Sequence, residues 1–148
     1  MSKHLALFAF IGVLPYLALA GAPARDVTEL DAARVAAAFA QGAPLLENDL
    51  YKIHASRRDA AGVAEVHERD TDILYVLEGE ARLVTGGRVV DGREIAPDEI
   101  RGPRIEGGTQ RTLVAGEIAV VPNGTPHWFE SVSGPFVYYV VKVTAREE

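Results

Sequence analysis

The residues best equipped for chemistry fall in two stretches of the chain. Glu65 and His67 stand two apart in Val63-Ala64-Glu65-Val66-His67. Residues two apart in an extended chain share a face, so this carboxylate and imidazole project together while Ala64 and Val66 face the other way. Asp72 opens the next apolar run, Ile73-Leu74-Tyr75-Val76-Leu77, and His127 follows the turn sequence Pro122-Asn123-Gly124-Thr125-Pro126. Two imidazoles and two carboxylates brought to one point make a site for a divalent metal ion. His54 is a fifth candidate. A hairpin folded at Arg58 to Gly62 would set it opposite His67 on the same face, and a one-residue slip would reverse that. Glu65 or Asp72, if left uncoordinated, can act as a general base.

What is missing narrows the chemistry further. The 148 residues contain no cysteine, which excludes disulfides, thiolate zinc sites and a cysteine nucleophile, so any metal must sit on His, Asp or Glu. There is no Gly-x-Ser-x-Gly elbow, phosphate-binding Gly-rich loop or dinucleotide fingerprint, which sets aside serine hydrolases and nucleotide enzymes. Fifteen Lys and Arg against 21 Asp and Glu leave a net charge of -6, which argues against a nucleic-acid partner.

These side chains need a scaffold, and 48% hydrophobic with 24% charged residues suits one packed domain. A helix is expected over residues 26–41, with Thr28 as cap and Leu30, Ala33, Ala37 and Ala40 at helical spacing up to Gly42. From residue 45 to 145 the texture changes to short runs rich in Val, Ile, Leu and Tyr between Gly, Asp, Asn and Pro. Strands are expected at 49–56, 63–69, 72–78, 80–85, 109–114, 117–121, 127–132 and 136–144, with a further short hairpin near Arg88 to Arg93. This pattern reads as an all-β barrel or sandwich. At the amino terminus, Lys3, the apolar run Leu5 to Leu14, Pro15 and Ala18-Leu19-Ala20 form a secretory signal peptide over residues 1–20, cleaved after Ala20. The mature protein is therefore expected in the periplasm or outside the cell, with no membrane anchor left.

Gly116-Glu117-Ile118-Ala119-Val120-Val121-Pro122-Asn123-Gly124-Thr125-Pro126-His127 resembles the second conserved motif of the cupin superfamily, with Gly, Pro, Gly and His at the expected spacing. The motif's usual terminal Asn is here Ser131. The first motif has two His separated by one residue, then Glu, then Gly after six more. Anchored on Gly79, it puts Asp72 at the Glu position, His67 at the second His and Glu65 at the first. The resemblance runs from Val63 to Ser131 and implies a jelly-roll barrel holding one divalent metal, Fe, Mn or Zn, on His67, His127, Glu65, Asp72 or His54.

Glu65 in place of an imidazole shifts preference toward hard ions such as Mn(II), Fe(II) or Mg(II), while Zn accepts both donor types. Asp72, one methylene shorter than Glu, would reach the metal through water or by an inward shift of its strand. The resemblance further implies a small-molecule substrate, with dioxygenases, isomerases, epimerases and lyases all within its range. It also implies a homodimer formed through exchanged edge strands, for which Phe136 to Val143 is the candidate. A different reading keeps the barrel and drops the metal, leaving a non-catalytic binder of a small ligand. Among the surrounding residues, Phe129 shares parity with His127 and is expected to line the cavity. Arg101 and Arg104 are candidate carboxylate clamps, and Glu65 could pair with Arg57, Arg69 or Arg111.

Overall fold

The computed structural model describes residues 26–146. The signal segment 1–20 lies outside them. The chain opens with helix α1 (Ala32–Gln41) and continues in eleven strands: β1 (Ala43–Glu47), β2 (Tyr51–Arg58), β3 (Ala64–His67), β4 (Asp70–Thr85), β5 (Arg88–Val90), β6 (Arg93–Ala96), β7 (Glu99–Gly102), β8 (Arg104–Glu106), β9 (Thr109–Val114), β10 (Ile118–Val121) and β11 (His127–Thr144). The helix starts later than its periodicity suggests. Asp31, not Thr28, caps it, accepting the Arg34 backbone N–H at 2.9 Å. The Ala-rich run begins only there, while Val27 and Thr28 are β-branched and poor helix formers. Gly42 closes the helix at φ 68°, and Ala38 packs with Leu45 and Ala55.

β11 organises the rest. It lies between β4 and β2, Phe136 to Val143 facing Arg58 to Tyr51, and its first residue, His127, pairs with Glu65 of β3. The main sheet runs β1-β2-β11-β3-β7-β6, with β9 and β10 on the far side of β4, and β5 pairs β8 in a second small sheet. Three expectations are corrected here. Arg58 to Gly62 is a crossover rather than a hairpin: β2 and β3 both flank β11, at different heights, and do not pair with each other. Phe136 to Val143 is an interior strand, because Phe136, Tyr138 and Val140 are buried and both its edges are paired. Near Arg88 to Arg93, β5 and β6 take separate partners, β8 and β7.

The expected strand pairs 72–78 with 80–85, and 127–132 with 136–144, turn out to be two continuous long strands, each bending in the middle. Gly79 permits the bend in β4. Its φ is 79°, and a side chain there would collide with the Pro135 carbonyl of β11. The core lies inside this curl, where the rings of Phe129, Phe136 and Tyr138 meet at centroid distances of 5.1 to 5.3 Å.

Candidate metal centre

Three elements meet at the open end of the curl. β3 carries Glu65 and His67 inward while Ala64 faces away into a satellite core with Val84 and Ile105. β4 begins beside them with Asp72. The turn before β11 is tied down at several points: the Gly124 N–H donates to the His67 carbonyl at 2.8 Å, and the Asn123 side chain donates to the Glu68 carbonyl at 3.1 Å. Register then puts His127 directly across from Glu65.

One donor atom each from Glu65, His67 and His127 lies within 4.8 Å of the other two. His67 Nε2 is 3.5 Å and His127 Nε2 4.0 Å from Glu65 Oε2, and the same two nitrogens stand 3.7 and 3.8 Å from Asp72 Oδ2. These separations are too long for hydrogen bonds. Two ligands each about 2.1 Å from a shared ion sit roughly 3.0 to 3.4 Å apart, so closure of roughly an ångström or less between Glu65 and each imidazole would bring them to ligand spacing. A second observation supports the fit: His67 Nε2 is buried and has no hydrogen-bond partner. A buried polar atom left alone is costly and is normally satisfied by something.

The protonation states suit a cation. Burial pushes the Glu65 carboxyl up, but the His67 imidazole and the positive charges around it, with Arg58 nearest, outweigh that and hold it at about 2. Burial pushes His127 down from its ordinary value, against the opposing pull of the Thr125 carbonyl and Asp72. His127 Nδ1 lies 3.1 Å from that carbonyl, which can only accept, so Nδ1 carries the proton and Nε2 presents its lone pair to the cluster.

Asp72 is close but otherwise engaged. The Lys142 ammonium contacts both its oxygens, at 2.8 and 2.7 Å, from the residue directly opposite on β11. Sequence reasoning passed over Lys142, although a lone lysine in the apolar run Val140-Val141-Lys142-Val143 was the available signal. Next to it, Lys52 and Thr144 hold Asp70 at 2.6 and 2.7 Å.

His54 does not join the group. It lines the same cavity, but β2 pairs with residues 136–143 of β11 and β3 with its first residue, so His54 faces Val140 and Pro44 rather than His67, and its Nε2 is 2.7 Å from Glu47. The arginine beside Glu65 is Arg58, at 3.8 Å, whereas Arg57 pairs with Asp59 and Arg111 with Glu117. Arg69 donates to the Ala145 carbonyl. Of the two expected clamps, Arg101 lines the cavity but is bound to Glu99, and Arg104 binds Glu106 away from it. Phe129 lines the cavity as its parity required. The cavity encloses about 530 Å³, within the roughly 300 to 1,000 Å³ of small-molecule sites.

A curled double-stranded β fold with histidines and a carboxylate at its open end defines a cupin. Residues 20–148 match the profile of the family described as Cupin, and the chain belongs to that family. Similar folds include the hydroquinone 1,2-dioxygenase of Sphingomonas sp. TTNP3, solved with 4-hydroxybenzoate bound (14% identity, TM-score 0.53, 72% of this chain and 66% of that one). KdgF from Halomonas sp. gives 17% identity and a TM-score of 0.50 over 71% of this chain and 80% of that one. The protein BH2720 of Bacillus halodurans gives 14% and 0.55 over 86% and 87%. At such identities the likeness is one of fold. No curated protein matches the sequence.

Proposed function

We propose that this cupin holds one divalent metal ion on Glu65, His67 and His127 and uses the adjoining cavity to bind or transform a small polar organic molecule. The observation that carries the reading is the buried, partnerless Nε2 of His67, aimed at the same space as Glu65 and the lone pair of His127. Two imidazoles and one carboxylate are a ligand set that leaves coordination positions open, and the oxygen donor favours Mn(II), Fe(II) or Zn(II) over soft ions. When bound, such an ion would supply Lewis acidity toward a substrate oxygen, and oxygen chemistry if it is iron.

The chain's own residues do the rest. Glu65, as a ligand, is not free for proton transfer. Asp72, outside the ligand group, becomes the candidate general base, with the Lys142 ammonium against both its oxygens. The fold does not choose among oxygenase, isomerase and lyase reactions. Export rests on the Lys3 to Ala20 pattern. Homodimerisation is supported by an exposed apolar face on β4 and β10, where Tyr75 pairs with Ile118 and Ile73 with Val120.

One observation favours the metal-free alternative. Both carboxylates of the site already face a cation, Asp72 with Lys142 and Glu65 with Arg58. Thermal melting with and without Mn(II) or Zn(II) separates the two readings. Metal binding predicts a rise in melting temperature in the wild type that disappears in His67→Ala and His127→Ala. Equal shifts in all three proteins, or none in any, would contradict it.

A further inference from the structure

The charges lining the cavity fall into pairs, and two of these are loose, Arg69 with Asp98 at 4.0 Å and, at the candidate metal site, Arg58 with Glu65. Asp70 has Lys52 at 2.6 Å, Asp72 has Lys142 at 2.7 Å, Glu99 has Arg101 at 2.6 Å and Glu47 has His54 at 2.7 Å. Glu65 and Arg58 are 3.8 Å apart, beyond hydrogen-bonding reach. Arg58 is nonetheless firmly seated. Its Nε donates to the Tyr138 hydroxyl at 3.1 Å, and its guanidinium carbon lies 5.0 Å from the centre of the Phe129 ring. The absence of a side chain at Gly62 leaves it room, since a Cβ there would stand 2.6 Å from an Arg58 terminal nitrogen. Gly62 itself is fixed by its N–H on the Phe129 carbonyl, 2.9 Å, and by the Trp128 indole N–H on its own carbonyl, 2.8 Å.

A guanidinium anchored through Nε and one flat face keeps its terminal nitrogens for another partner, and their fork matches a carboxylate. The charge balance points the same way. Arg58 and Lys142 already offset Glu65 and Asp72, so a divalent ion on Glu65, His67 and His127 leaves its own charge uncompensated and takes over Glu65 as its counter-charge. Arg58 is then the cation without an anion, beside an ion that also attracts one.

We propose that Arg58 receives the carboxylate of a small organic acid whose other end faces Glu65, His67 and His127, so that the cavity is selective for carboxylates over neutral analogues. The inference rests on the metal reading above. Phe129, Tyr138 and Trp128 border the place and offer apolar surface to the carbon skeleton.

Trp128 is the chain's single tryptophan and lines the cavity, so its fluorescence reports occupancy. The experiment titrates zinc-loaded protein with benzoate and acetate against the neutral isosteres benzamide and acetamide, with zinc content measured in every sample. Saturable binding of the acids but not the amides is expected. Arg58→Gln should weaken it roughly ten- to a hundredfold at unchanged zinc content, the range for hydrogen bonds to a charged group. Arg58→Lys, which keeps the charge and loses the fork, should fall between. If Arg58→Gln fails to fold, Tyr138→Phe, which releases the Nε anchor, should weaken binding severalfold. Amides binding as well as acids, wild-type affinity in a folded Arg58→Gln, or no acid binding by fully zinc-loaded protein would each overturn the proposal. Arg58-dependent acid binding by protein that takes up no zinc would support the receptor and remove the metal.

Discussion

Lys142 changes what Asp72 can do. In the first cupin motif a glutamate stands at this position. Here the side chain is one methylene shorter, and both its oxygens face a buried ammonium. Asp72 therefore stays outside the ligand group, yet its charge stands only 3.7 Å from His67 and 3.8 Å from His127. Removing one member of a buried pair strands the other, at a cost of about 3 to 5 kcal/mol. Lys142→Ala should accordingly lower the stability of the metal-free protein by that order in chemical denaturation. A metal ion can then relieve the stranded carboxylate, so the melting-temperature gain on adding Zn(II) should exceed the wild-type gain. An equal or smaller gain would show that Asp72 does not sense the ion.

At the level of strands and turns, the chemistry depends on which segments β11 brings together. The turn from Pro122 to Pro126 was legible in the sequence, because two prolines and a glycine leave the backbone few alternatives, and it delivers His127 as expected. Alternation was equally legible: Glu65 and His67 share the inward face, and Phe129 follows His127 into the cavity. Strand pairing was not. Five residues between β2 and β3 suit a hairpin by length alone. What overrides the hairpin is the 18-residue β11, whose two halves take β2 and β3 as separate partners, and nothing local to residues 58–62 encodes that. The same strand hid Lys142 and Arg58, which meet Asp72 and Glu65 only through cross-strand register and packing. His54 supplies the test. Since register pairs it with Val140 and it contacts Glu47, His54→Ala should retain the wild-type metal content, measured by elemental analysis after dialysis, while His67→Ala loses it. Loss of metal in His54→Ala would mean that the strands pair differently.

For the whole molecule, the site ties stability to acidity. The Glu65 carboxyl is held at about 2, below its ordinary 4.5, so the unfolded chain takes up its proton first as pH falls. The stabilisation is complete above that ordinary value and is lost as pH drops through the interval, a contribution on the order of 3 kcal/mol. Asp70 shifts the same way: burial raises its proton affinity, but hydrogen bonds from Lys52 and Thr144 outweigh that. His127, lowered by its burial, adds a loss that begins below its ordinary 6.5. All three act in one direction, so metal-free protein should lose stability steadily from about pH 6.5 to pH 2 in urea denaturation, with no compensating gain on the acid side. A stability maximum in the acid range would contradict these assignments.

The central claim is that Glu65, His67 and His127 grip one ion. Crystals of the protein loaded with Mn(II), Fe(II) or Zn(II), measured at the absorption edge of the metal, test it directly. The account predicts a single anomalous peak bonded to a Glu65 carboxylate oxygen and to Nε2 of both histidines, with Asp72 still on Lys142. An anomalous map without a peak between the two imidazoles, from protein saturated with each metal in turn, would contradict it.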